Sequence, residues 1–277
     1  MRLRLNKLLR RSVYVLPIIL LMALPVFWLL NELTPESEPQ TASPTPDGYT
    51  LVFEDEFERK GLDATKWRLR YEDGTERGAG VIARSAVQQP GDGYLHLVTE
   101  YQDGQLLTGM IRSTEEFRYG YFEARIKFQE LQGHHGAFWL QSPFYGQYHD
   151  DPARSGAEVD IIEFFGGGRT ETDAQQSIYW NAYDSEDLQH RSHDVFYRDQ
   201  QGAELNKEFH TFALLWTPEE YVFYIDDVET WRTSEGLSQV PQYLVLSLES
   251  SKWENARLDA DRLPDEMLVD YVRVFAR

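Results

Sequence analysis

After Asp47 no stretch holds an apolar period near 3.6 residues; instead, short runs of alternating apolar and polar residues recur with turns between them. Alternation at period two is the signature of half-buried strands, so the chain from residue 49 onward is predicted to be all-β. GYLHLVTE, Gly93–Glu100, reads as one such strand after a glycine-rich turn. The stretch from Thr108 to Phe128 holds two more. In the second, Phe122, Ala124, Ile126 and Phe128 share one face, and Tyr121, Glu123, Arg125 and Lys127 the other.

The first thirty residues follow a different pattern. Five bases and no acid in MRLRLNKLLRR precede an apolar run from Val13 to Leu30. That run is long for the core of a signal peptide and has no A-x-A cleavage site after it, so it reads as a membrane anchor, with a cleaved signal as the alternative. The bases orient it with the rest of the chain outside the cytoplasm, periplasmic or extracellular. Residues 31–48, rich in proline, serine and threonine, read as an extended tether. Three parts result: an anchor or signal over 1–30, a tether over 31–48, and a folded domain over 49–277.

Charge narrows the range of partners. Forty-six acids against 27 bases give a formal net charge of −19, which disfavours nucleic acid and, less strongly, highly sulfated polysaccharides. With no cysteine in the chain, thiolate chemistry is excluded. Aromatic residues make up 14% of the chain, enough both for a core and for flat faces on which sugar rings stack.

The candidate chemistry lies in Gly156–Phe165, GAEVDIIEFF. On a regular strand Glu158 and Asp160 share a face, and Glu163, three residues further on, points the opposite way. A carboxylate in the core is costly. One extra residue within Ile161–Ile162, a β-bulge, returns Glu163 to the face of the other two and keeps both isoleucines inside. The two glutamates then stand roughly 5 to 7 Å apart, near the spacing of a retaining glycosidase. Like charges this close raise at least one pKa, leaving one acid protonated and one ionised near neutrality. A calcium site or a solvated edge strand is the plainer reading of the same residues.

EVDIIE resembles the E-x-D-x-x-E signature of glycoside hydrolase family 16, in the bulged form of its laminarinase-like, agarase-like and carrageenase-like branches. Other stretches resemble the family in the same order: LVFEDEF from Leu51, LDATKW from Leu62, AFWL from Ala137, EFHTFALLW from Glu208, YVFYIDD from Tyr221, YLVLSLESSKW from Tyr243 and LVDYVRVFA from Leu268. The resemblance implies a two-sheet β-jelly-roll sandwich with an open concave cleft. It also implies Glu158 as nucleophile, Glu163 as general acid and base, and Asp160 as the residue that orients and tunes the nucleophile. No cofactor is required on this reading.

By the same resemblance Trp139 and Trp253 are candidate sugar platforms. Trp180 stands where laminarinases usually have a histidine, and with it Asn181 joins the substrate-binding candidates, Tyr183 being a further hydrogen-bonding replacement. Asp270 lies where relatives hold a structural calcium. His134 and His135 read as polar residues of the cleft rim, because no acidic ligand has the spacing to close a zinc site. The expected activity is retaining, internal cleavage of a β-linked polysaccharide by a monomer, with a β-1,3-glucan as first substrate. A galactan hydrolase, a cell-surface transglycosylase and a carbohydrate-binding protein of the same fold are the alternatives.

Overall fold

A computed structural model describes residues 45–169, 171–197 and 204–277. The anchor, and the tether up to residue 44, lie outside the described residues. Among the described residues no helix is long and apolar enough to cross a membrane.

Two antiparallel sheets carry the domain, as the alternation predicts. One sheet is ordered Trp67–Leu69, Gln105–Ser113, Tyr243–Glu249, His135–Gln141, Glu158–Phe164, Ala174–Trp180 and Gln189–Val195. The other is ordered Thr50–Asp55, Asp265–Ala276, Gly120–Lys127, His210–Trp216, Tyr221–Ile225 and Val228–Thr233, with Leu95–Gln102 also paired to Asp265–Ala276. The hairpin of Leu95–Gln102 and Gln105–Ser113 joins them.

Their inner faces meet in one hydrophobic core. Phe122, Ala124, Ile126 and Phe128, the face read from the sequence, are all buried there against Phe138, Leu140 and Val159. The opening stretch is tied in through Asp55, which accepts hydrogen bonds from the Trp67 indole at 2.9 Å and the Phe57 backbone at 3.1 Å. Two of the recognised sequence landmarks therefore meet at one buried carboxylate.

The outer face of the first sheet has its own layer of side chains. Met110, Ala137, Trp139, Tyr243 and Val245 cluster there with Ile82, on strands beside the acidic one.

Candidate active site

The acidic strand, Glu158–Phe164, lies between His135–Gln141 and Ala174–Trp180. Its register against His135–Gln141 slips by one residue: Asp160 faces Trp139, Ile162 faces Phe138, and Ile161 is the extra residue. The slip recurs on the other side, where Asp160 faces Ser177 and Glu163 faces Gln175. Ile161 and Ile162 are both fully buried in the core, so the bulge places all three carboxylates on the outer face, as the pattern of acids and isoleucines requires.

Glu158 is held from several sides. Gln141 donates to its Oε2 at 2.7 Å, and the Tyr183 hydroxyl donates to the same oxygen. Gln141 is itself fixed by Tyr243, whose hydroxyl donates to Gln141 Oε1 at 2.9 Å, and by Arg70. Burial, helped by the charge of Glu249, pushes Glu158 up to about 7, against the pull of the Arg70 and Arg77 guanidiniums and the Gln141 hydrogen bond.

Glu163 has different surroundings. The His135 imidazole, 3.9 Å away, is too far for a hydrogen bond, and burial holds that ring neutral by lowering its pKa. Burial first, then the charges of Glu158 and Glu249, push Glu163 up to about 8. Asp160 between them is raised well above the usual carboxylate range by burial and by both glutamates, and its Oδ2 is buried without a hydrogen-bond partner. The cleft above these groups encloses about 590 Å³. It holds two glutamates on one face, both raised by burial, with Gln141 and Tyr183 donating to Glu158 and the neutral His135 ring beside Glu163.

The substrate-binding candidates fall in different places. Trp253 lines the cleft at 65% exposure, its ring beside Phe165 and His135. Trp253→Ala should reduce polymer turnover roughly tenfold, the scale of losing one stacking contact; turnover within a factor of two of the parent would remove it from the substrate path. Trp139 sits on the cleft side but is only 4% exposed. Its indole donates to Ser247 at 3.0 Å and the Arg70 guanidinium lies 4.4 Å from its ring centre, so it is floor beneath a cation, not an open platform.

Two further candidates do not line the cleft, Trp180 through strand alternation and Asn181 because it follows the strand's end with a positive φ. Ser177 and Tyr179 share the acidic face, opposite Asp160 and Glu158, which turns Trp180 to the other side against the core and Gly236. Tyr179, not Trp180, lines the cleft. Asn181, 3% exposed, accepts from the Asp150 backbone at 3.0 Å and donates to the Asp150 carboxylate at 2.7 Å and the Asp187 carbonyl at 3.1 Å. Its amide therefore braces two loops and is spent on them.

His134 is buried on Asp265 at 3.0 Å, away from the rim, whereas its neighbour His135 lines the cleft. Asp270 accepts from Arg125 at 2.6 Å, and among the described residues no group of three or more histidines, aspartates and glutamates is arranged to hold a metal ion.

Sequence reading missed Glu249 and Arg77. Both line the cleft, and Arg77 Nε donates to Glu249 Oε2 at 2.8 Å. Alternation from Tyr243 through Val245 and Ser247 does put Glu249 on the face of Trp139 and Gln141, but only once the pairing of those strands is known.

A sandwich of this kind, with two glutamates of raised pKa on one face of an open cleft, has the equipment of an O-glycosyl hydrolase. Residues 79–273 match Glycosyl hydrolases family 16, and the chain belongs to that family as an endo-acting O-glycosyl hydrolase. A β-glucanase of Rhodothermus marinus is 25% identical over 268 residues, covering 82% of this chain and 85% of the relative. The endo-1,3-1,4-β-glycanase ExsH of Rhizobium meliloti is 29% identical over 195 residues, and there the chain spans only 36% of the relative's length. The crystal structure of SCLam, a non-specific endo-β-1,3(4)-glucanase, has the same fold, with a TM-score of 0.66 at 24% identity over 84% of this chain and 92% of that one.

Proposed function

We propose that the enzyme cleaves a β-linked polysaccharide internally with retention of configuration, and that its first substrate is a β-1,3-glucan. The observation that carries this reading is the unequal environment of two glutamates on one face. Glu158 has two hydrogen-bond donors and two guanidiniums to favour its charge against the carboxylate of Glu249, whereas the charges acting on Glu163 are the carboxylates of Glu158 and Glu249. Glu158 attacks the anomeric carbon while Glu163 protonates the glycosidic oxygen, so the bond to the leaving sugar breaks as the glycosyl-enzyme ester forms. Glu163, now ionised, takes a proton from water, and the water oxygen displaces Glu158. Asp160, with its raised pKa, tunes the charge between them. The β-glucanase relatives support the choice of substrate.

The pH dependence follows from the same two groups. Below about 7 Glu158 takes up a proton and ceases to be a nucleophile, and above about 8 Glu163 loses the proton it must donate. kcat/KM on laminarin should therefore peak between those values and fall on both sides. The purified enzyme is to be assayed on laminarin, mixed-linkage β-glucan, agarose and carrageenan, with the first-formed anomer read by NMR. Fastest cleavage of laminarin with the β-anomer appearing first is the expected result. An α-anomer formed first would rule out retention. Faster cleavage of agarose would move the substrate to a galactan, and longer products on adding oligosaccharide would mark a transglycosylase.

A further inference from the structure

The Arg77–Glu249 pair is built into the cleft wall at some cost. Glu249 ends the strand Tyr243–Glu249 and is 8% exposed. Arg77 meets it as a fork, Nε to Oε2 at 2.8 Å and Nη2 to Oε1 at 3.4 Å. The turn carrying Arg77 is strapped down next to it: the Ala79 amide donates to the Ser250 carbonyl at 2.7 Å. Gly78 has φ +60°, and a Cβ there would stand 2.2 Å from that same carbonyl oxygen. This backbone strap holds the turn without any ion pair. Such a pair gains little stability over apolar residues of the same size, because Glu249 loses its water and Arg77 part of its own.

The position of the pair relative to the catalytic groups is informative. His135 Nε2 lies 3.8 Å from Glu249 Oε1 and 3.9 Å from Glu163 Oε1, so the two carboxylates flank one neutral imidazole. The guanidinium lines the same cleft as Glu158. We propose that Arg77 and Glu249 are positioning residues that act as one oriented charge pair, its anionic end keeping Glu163 protonated and its cationic end keeping Glu158 ionised. The roles assigned to the two glutamates rest on the reading given under Proposed function; the effect on their titration does not.

Other groups facing Glu163 do not supply this asymmetry. Glu158 and Asp160 on its own strand act reciprocally, His135 is neutral, and Tyr179 stays protonated with a raised pKa. Arg169, in the same cleft, is taken up by Glu254 at 2.9 Å. Around Glu158 the remaining groups are Arg70, below it on Gln141, and the hydroxyls of Tyr183 and Tyr145. Glu249 raises Glu163 and Glu158 alike, whereas Arg77, with Arg70 ahead of it, lowers Glu158, so the two ends of the pair oppose one another at Glu158 and only the anionic end acts on Glu163.

The test needs no substrate. The full-length chain is labelled with ¹³C at its glutamate carboxyls, the two signals are assigned by their loss in Glu158→Gln and Glu163→Gln, and each is titrated. Glu249→Gln should lower the Glu163 midpoint by roughly one pH unit, a tenfold change in protonation ratio, and move Glu158 less. Arg77→Gln should raise the Glu158 midpoint more than that of Glu163. Equal movement of both midpoints in a variant, or no movement in a folded one, would overturn the proposal. Should Glu249→Gln not fold, the Arg77→Gln titration decides alone, since that side chain is 31% exposed and its removal leaves the backbone strap intact. Because no sugar enters the experiment, an error in the proposed substrate or stereochemistry leaves this result standing.

Discussion

Glu158→Ala is expected to lose roughly 10⁴-fold or more of turnover, and added azide is expected to restore a product of inverted configuration. The alanine removes the carboxylate that Gln141 and Tyr183 hold in place and leaves a gap beneath the anomeric carbon. A small anion entering that gap attacks from the face the glutamate used, so one displacement replaces two and the configuration inverts once. Glu163 remains to protonate the leaving oxygen. A rescued product of retained configuration would mean that the nucleophile is still present, and the roles of the two glutamates would have to be exchanged.

Glu163→Gln separates chemistry from stability. Polymer cleavage should fall by roughly 10³-fold or more, because the glycosidic oxygen leaves poorly without its proton. Aryl glycosides with good leaving groups should still form the glycosyl-enzyme, which accumulates because water is no longer activated, and azide should release it with retained configuration. The same variant should be more stable than the parent at alkaline pH. In the folded chain Glu163 is raised from 4.5 to about 8, so the folded state binds its proton where the unfolded state has released it. Native stability is therefore undiminished below about 4.5 and declines as pH rises towards about 8. Glutamine escapes that loss. Its gain should be near zero at pH 4 and reach on the order of 1 to 3 kcal/mol by pH 8.5, a rise in Tm of roughly 3 to 8 °C. A melting-temperature difference that does not grow with pH would show that Glu163 is not raised in the folded protein.

The acidic strand was legible because its chemistry admits few solutions. Three acids and two isoleucines within six residues satisfy both water and core only with one extra residue between Asp160 and Glu163. Trp180 was misplaced where the reading followed a position in a resembling family instead of the alternation from Ser177 to Tyr179, which puts the tyrosine in the cleft. Trp139 was assigned to the correct face, but its covering by Arg70 comes from the residue just after a strand that lies three places away in the sheet. Glu249 and Arg77 lie 172 positions apart, and nothing local in either stretch marks them as partners. What escaped the sequence is pairing between distant strands, which depends on the whole sheet order and not on any local period.

The bulge at Ile161 cannot migrate. Like a dislocation pinned by impurities in a lattice, it is held by the residues on either side of it. Moving the extra residue towards Glu158 would bring Asp160 inward, and moving it beyond Glu163 would bring that glutamate into the core, an uncompensated burial of several kcal/mol in either direction. The isoleucines that would turn outward are both fully enclosed, so the slip would also forfeit their burial. The spacing of the two glutamates is therefore set by a defect with only one stable address, and the reaction geometry inherits the rigidity of the hydrophobic core behind it.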